Sequence, residues 1–335
     1  MSSLASIERQ LRAIESGDYF RRLCNHPSPH ARRRTPELLC HRTVGSRLPA
    51  FTVVTPAFNC AEGFADYVEA TLASATLPFD WIVIDDASDD GTAELVRAAF
   101  ERLAHPLVAR ATLLRNPVPI YETACDNLGF TLAETDLIVE VQSDIQVREP
   151  GFDALFLHAF QLTPRPASLS GRCGHSFFGL RRKWLRRLLG GSAAECVGLC
   201  GAAIETPEVI EPLKGRLFRC ETVPRGPWAV SKADLERHGY LDERYFFLGN
   251  DDHDYHRRVT AAEGRRPVYV PMTIHSPLRL GATRRARSGV NQEVFTMLKR
   301  ERRGSPAFRR FIATRFRPSL PEPFAAGFLR RLGSA

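Results

Sequence analysis

Lysine is almost missing from this chain: only four of its 46 basic side chains are Lys, and the rest are Arg. Such a bias can reflect a GC-rich genome, so it is weak evidence for phosphate recognition. No apolar run approaches the ~20 residues that cross a bilayer. The opening Met1-Ser-Ser-Leu-Ala-Ser-Ile-Glu8 has no basic stretch followed by an apolar core, so no secretory signal is expected. The eight cysteines are too sparse for a disulfide scaffold and contain no Cys-x-x-Cys pair. Cys196 and Cys200 alone are too few for a zinc site, and the expectation is reduced core thiols in a cytosolic protein. Neither a Gly-x-x-x-x-Gly-Lys loop nor a Gly-x-Gly-x-x-Gly after a strand is present, which removes support for P-loop and dinucleotide-binding readings. No internal repeat is seen.

What is present is ordinary globular composition. The 335 residues suit one large domain or two fused ones, and 44% hydrophobic with 25% charged content excludes wholesale disorder. The net charge of +8 is uneven: +5 over residues 1–50, −13 over 51–160 and +16 over 161–335. A nucleic-acid binder should not hold an acidic block at its centre unless that block faces away or binds metal. Nucleic acid is therefore not an expected partner.

Residues 1–50 read as an Arg-rich leader and linker, with Leu4, Ile7, Leu11 and Ile14 at helical spacing. From residue 51 strands and helices alternate. Strands are expected at 51–55, 81–84, 107–114 and 137–144, and helices at 60–75, 92–103 and 121–133. Near-continuous apolar strands in this alternation imply an α/β fold with a mostly parallel central sheet covered on both faces. Ligands then bind beyond the C-terminal strand ends, where the chain places Thr55-Pro-Ala-Phe-Asn59, the Asp85–Asp90 cluster and Asp144. Order thins over 161–224 and returns with helices at 231–238 and 250–262 and a strand at 267–271. Residues 281–335 carry a net +10 with interleaved Phe308, Phe311 and Phe316.

Four groups of residues can carry chemistry. In Asp85-Asp-Ala-Ser-Asp-Asp-Gly-Thr92, one Asp or Ser suffices to cap the next helix. Four carboxylates in six positions repel one another, unless some meet a ligand or a cation. Glu140, Gln142 and Asp144 alternate and are expected to share one strand face, either facing solvent or placing Asp144 to ligate a divalent cation. In Asn250-Asp-Asp-His-Asp-Tyr-His-Arg-Arg258 the first-turn acids suit the helix dipole, and Asp254 can pair with Arg258. That leaves Asp252 free to face a cleft as a general base. A lone His275 is usually structural. After it, the Arg284 and Arg285 loop suits a diphosphate or is simply solvated.

In this order the motifs resemble those of family 2 nucleotide-sugar glycosyltransferases with a GT-A fold. Thr55-Pro-Ala-Phe-Asn59 looks like the family's Thr-Pro-x-Tyr-Asn, and Asp85–Thr92 is close to its Asp-Asp-x-Ser-x-Asp-Gly-Thr. Asn127-Leu-Gly129 resembles Asn-x-Gly, and Gln142-Ser-Asp144 stands in the place of Asp-x-Asp. Leu241-Asp-Glu243 and Asp251–Arg258 resemble the acceptor-side Phe-Asp-Glu and Glu-Asp-x-Asp-Leu-x-x-Arg. The resemblance covers about residues 51–280.

It implies that 51–160 is a donor half, in which Thr55, Pro56, Asn59, Asp85, Asp86 and Asn127 hold a UDP or dTDP nucleotide. Residues 161–280 would be the acceptor and catalytic half, with Trp228 and Asp251 on the acceptor side. Asp144, His275 and Gln142 would meet Mn²⁺ or Mg²⁺ and the diphosphate, and Asp252 would take the proton from the acceptor hydroxyl. The implied reaction is inverting transfer to a glycan or lipid-linked acceptor in polysaccharide biosynthesis, on the cytoplasmic face. Residues 281–335 would form a basic extension, either touching a membrane peripherally or packing on the domain. Gln142 departs from the family, because an amide ligates without charge. The alternative is thus a non-catalytic nucleotide-sugar-binding relative or scaffold. Retained Asp252, Arg258 and His275 argue against it.

Overall fold

A computed structural model describes residues 36–117, 120, 122–172, 210–241 and 251–276, with the backbone of 174–177 and 194–197. The order along the chain begins β1 (Glu37–Thr43), β2 (Phe51–Ala57), α1 (Ala61–Ser74), β3 (Phe79–Asp85), α2 (Thr92–Arg102), β4 (Val108–Arg115), α3 (Glu122–Leu132) and β5 (Leu137–Glu140). It continues with β6 (Gln146–Val147), α4 (Phe152–Phe160), β7 (Leu169–Ser170), and the ribbon strands β8 (Gly174–Phe177) and β9 (Ala194–Val197). Then come β10 (Phe218–Arg219), β11 (Trp228–Ser231), α5 (Lys232–His238), α6 (Asp251–Glu263), β12 (Val268–Tyr269) and β13 (Ile274–His275).

Nine strands form one sheet in the order β1-β4-β3-β2-β5-β11-β7-β12-β10. The four central strands β4, β3, β2 and β5 are parallel, as their apolar runs and crossover helices require. β1 and β11 flank them antiparallel. Two expectations change here. Residues 37–43, read as linker, are an edge strand, tied down by Arg42, which donates to the carbonyls of Phe100, Glu101 and Leu103 at the end of α2. The fourth parallel strand stops at Glu140, not Asp144, because Gln142 and Ile145 close a turn (N–H to O 2.9 Å).

The pleat divides each central strand between two cores. Val53 and Trp81 face a layer with Phe64, Tyr67, Phe100 and Phe152, while Val54 and Ile82 face Leu128, Trp228 and Tyr255 on the other side. Each such fully buried side chain contributes about 1.5–3 kcal/mol. α3 lies so close to β2 that a Cβ on Gly129 would collide with the Val54 side chain. That helix thereby carries its acidic first turn to the carboxyl edge of the sheet.

Candidate active site

β2 and β3 run in register, Ala57 opposite Asp85, so both end on the same edge. Beyond them, Asn59 adopts a left-handed φ of 47° and joins the two loops. Its N–H donates to Ser88 Oγ (3.0 Å), and its Oδ1 accepts from the Asp89 N–H (3.0 Å). Asp90 stands just before Gly91, the N-cap of α2, and ties down the helix start, accepting from the Thr92 N–H (3.0 Å) and hydroxyl and from the Ala61 N–H. The bland reading therefore accounts for one acid of the four.

Asp85 and Asp86 do something else. Asp86 Oδ1 accepts from Asn116 Nδ2 (2.9 Å) and the Ile120 N–H (2.6 Å). Asp85 is fully buried; its Oδ2 accepts from the Ser88 N–H (3.2 Å) and lies 3.4 Å from Arg115. Its Oδ1 has no partner among the described residues. Burial pushes the carboxyl up to about 6, against the Ser88 bonds and Arg115. A buried, half-satisfied carboxylate at the carboxyl edge of a parallel sheet is poised for a ligand's N–H or O–H donor.

Asp144 stands in the turn after β5, partly exposed, and β13 pairs with β6 so that His275 faces Gln146, two residues beyond Asp144. A carboxylate and an imidazole at one end of the sheet suit a divalent ion whose remaining positions go to phosphate oxygens. Gln142 turns its Nε2 toward Glu122, which leaves the amide oxygen as its ligand atom. Oxygen and imidazole donors are of the type that Mn²⁺ or Mg²⁺ takes.

A second cluster, of Glu122, Asp126 and Glu140, brings its oxygens within 4.8 Å of one another. There the cationic role is filled by the buried Arg225, which pairs with Glu122 (3.0 Å), Asp126 and Asp251 (2.9 Å). Glu140 does not line up with Asp144 as expected. It turns into this cluster, where its Oε2 accepts from the Gly226 N–H (2.8 Å). Burial, with Glu122 and Asp251 nearby, raises its carboxyl well above the usual range. Gly226 holds φ 68°, and a Cβ there would meet Ile145 at 2.7 Å and Gln142 at 3.0 Å.

α6 delivers Asp251 and Asp252 side by side. Asp251 is buried, accepts from Thr123 (2.8 Å) and Arg225, and is pushed up to about 6 mainly by burial. Asp252, 9% exposed, keeps its carboxyl below the usual range: burial opposes this, but His253, His256 and Arg225 outweigh it. Asp254 pairs with Arg258 (2.9 Å) as expected, and Arg258 also donates to the carbonyls of Gly239 (2.9 Å) and Tyr240 (2.6 Å). His256 sits buried between Ser168 (2.6 Å) and Thr222 (3.0 Å), pushed down to about 3 by burial, and so is neutral.

Four expected site residues are placed in the interior instead. The Thr55 hydroxyl is buried between Tyr67 Oη (2.5 Å) and Trp81 Nε1 (3.1 Å), and Pro56 is buried beside it in β2, so neither side chain faces the edge. Asn127 is fully buried and staples α3 to the Leu241 backbone, donating to its O (2.8 Å) and accepting from its N–H (3.0 Å); this explains the Asn-x-Gly motif as packing. Trp228 is fully buried against Phe130 and Tyr255, its ring lying in the core rather than on an acceptor surface. Arg284 and Arg285 lie outside the described residues. Sequence reasoning missed Arg225 and Glu122; the one signal for Arg225 is a lone arginine between prolines, Pro224-Arg225-Gly226-Pro227.

The fold is that of an α/β protein with an acidic edge beyond its parallel strands. Residues 52–159 match the model of glycosyl transferase family 2. Solved structures resemble it at low identity. They include the mannosyltransferase PcManGT from Pyrobaculum calidifontis in complex with GDP-Man and Mn²⁺ (17% identity, 99% of this chain and 81% of that one, TM-score 0.48). GalNAc-T7 with UDP, GalNAc and Mn²⁺ matches at 14% (68% and 43%, TM-score 0.47), and S. aureus TarS at 14% (84% and 42%, TM-score 0.44). The match thus spans less than half the length of the latter two. Comparison with curated proteins gives no match.

Proposed function

We propose that this chain is an inverting, metal-assisted nucleotide-sugar glycosyltransferase that uses a UDP- or dTDP-sugar and a glycan or lipid-linked acceptor. The observation that carries the reading is Asp85, a buried carboxylate with one oxygen unpartnered, at the carboxyl edge of the segment matched to the family. Residues 51–160 would be the donor half, in which Asp85 and Asp86 accept hydrogen bonds from the base and ribose, and Asn59 shapes the loop beside them. Asp144, His275 and the Gln142 oxygen would hold a divalent cation. Bound there, such an ion would offset negative charge on the departing diphosphate.

In the transfer, Asp252 takes the proton of the acceptor hydroxyl as its oxygen bonds to the anomeric carbon. The bond from that carbon to the diphosphate oxygen breaks, and the electron pair leaves with the diphosphate. Asp252 is favoured over Asp251 because its carboxyl is held below the usual range and so is ionised at neutral pH, whereas Asp251 is committed to Arg225 and Thr123. No helix among the described residues is long and apolar enough to cross a membrane.

A panel of UDP-, dTDP- and GDP-sugars with Mn²⁺ or Mg²⁺ tests the reading by calorimetry and by nucleotide release. Metal-dependent binding of one donor, weakened by Asp144→Ala, supports it. Absence of binding to every donor overturns it, and binding without transfer to any acceptor favours the non-catalytic alternative.

A further inference from the structure

We infer that Arg225 is a positioning residue of the transfer reaction, tying the Asp251–Asp252 pair of α6 to α3 of the family-matched segment through one buried guanidinium. The inference rests on the reading of Asp252 as the base. Arg225 precedes β11 and is only 6% exposed. Its fork reaches Glu122 and Asp126, one turn apart on α3, and Asp251 at the first residue of α6. The adjoining Gly226 N–H holds Glu140 at the end of β5, and the Arg225 carbonyl accepts from Arg172 (3.1 Å). Two helices therefore meet on the Arg225 side chain, and β5 is held by the backbone of the next residue.

This arrangement has a direction. The first turn of α6 carries Asp251, Asp252 and Asp254. What fixes the azimuth of that turn is polar: Arg225 and Thr123 grip Asp251, and Asp254 is held by Arg258 on the other side. Asp252 lies between the two grips, so its carboxylate is aimed by its neighbours. A flat, five-donor guanidinium can serve three carboxylates in fixed geometry, which an ammonium cannot. The groups facing Asp252 are His253 and His256 on its own helix, Asp251 beside it, and Arg225 from the loop before β11; Glu122 of α3 lies behind Arg225. Of these, only Arg225 is cationic at every accessible pH.

Steady-state kinetics of the full chain with its donor, its acceptor and Mn²⁺ test the proposal. Arg225→Gln is expected to lower kcat about 100-fold, with donor Kd unchanged within about threefold, and to move the acid limb of the kcat profile to higher pH as Asp252 loses a positive neighbour. Arg225→Lys should recover part of kcat and return the acid limb toward its original position. A residue that served stability alone would lower the melting temperature without moving that limb. Should Arg225→Gln not fold, Asp251→Asn keeps the shape and the Thr123 contact while ending the ion pair; a fall in kcat of at least tenfold at constant donor affinity supports the proposal. Unchanged kcat and pH profile in the folded variants overturn it. Full activity in Asp252→Asn would instead overturn the base assignment on which it rests.

Discussion

Asp85 and Asp251 are both fully buried aspartates pushed up to about 6, and they reach that state in different surroundings. At the edge around β2 and β3, carboxylates are spread out and bonded mainly by N–H groups: Ser88, Ile120 and Asn116. Among the described residues, the guanidinium paired with Asp85 is Arg115, about a third exposed and shared with the Ser88 carbonyl and Glu94. In the seam between α3, β5 and α6, four carboxylates crowd one buried guanidinium, and Asp126, Glu140 and Asp251 each retain an oxygen without a partner. Crowding makes protons the natural extra partners there. Buried acids that look alike in composition thus divide into an edge open to a ligand and a seam closed on itself.

The strongest way to break this division is at Asp252, which stands beside Asp251 in the seam and is the proposed base. Asp252→Asn should lower transfer about 10²–10⁴-fold, with donor binding retained, as loss of a general base does. Turnover within a few-fold of the parent protein would return Asp252 to the structural acids. Next in size is Trp228. As a core side chain, Trp228→Ala should cost about 3–5 kcal/mol in chemical unfolding and leave the acceptor KM of the folded fraction unchanged. A raised KM at undiminished stability would restore it to the acceptor surface.

The regular half of the chain was legible because apolar periodicity reports burial directly. β3 and α2 fall within two residues of their expected limits. Strands of two residues, such as β7 and β12, have no periodicity to show and exist through their neighbours' hydrogen bonds. The site was half legible. Asp85, Asp86 and Asp252 could be named from charge density in places where one cap would do. Thr55, Asn127 and Trp228 could not be sorted, because a motif marks a residue without saying whether its side chain faces ligand or core. Glu140 was misplaced since alternation assumes a strand that continues, and this one ends in a turn. Arg225 leaves almost no local trace: its partners are 99, 103 and 26 positions away.

A smaller effect tests the edge itself. Asp85→Asn keeps the shape but removes the charge that the donor is proposed to meet, so donor affinity should fall about 10–100-fold, as for a hydrogen bond to a charged group. The same change should raise stability at pH 7. A carboxyl whose folded pKa is above its unfolded one contributes stability that is complete below about pH 4 and lost as pH rises through about 6. Unfolding between pH 4 and 7 should therefore depend less on pH in Asp85→Asn, by up to about 3 kcal/mol. Parallel curves for the two proteins would show that Asp85 is not the buried, raised group.

The smallest effect distinguishes the two arginines. Arg115 favours the ionised form of Asp85 from 3.4 Å, so removing it should raise that carboxyl further and shift the midpoint of donor binding upward in pH. With about a third of its side chain in solvent, its field is screened, and the shift in Arg115→Ala should stay under about one unit and shrink with added salt. Arg225, only 6% exposed, should give a pH effect in kcat that salt leaves nearly unchanged. Equal salt sensitivity at the two positions, read from pH titrations at low and high ionic strength, would erase the distinction between open edge and closed seam.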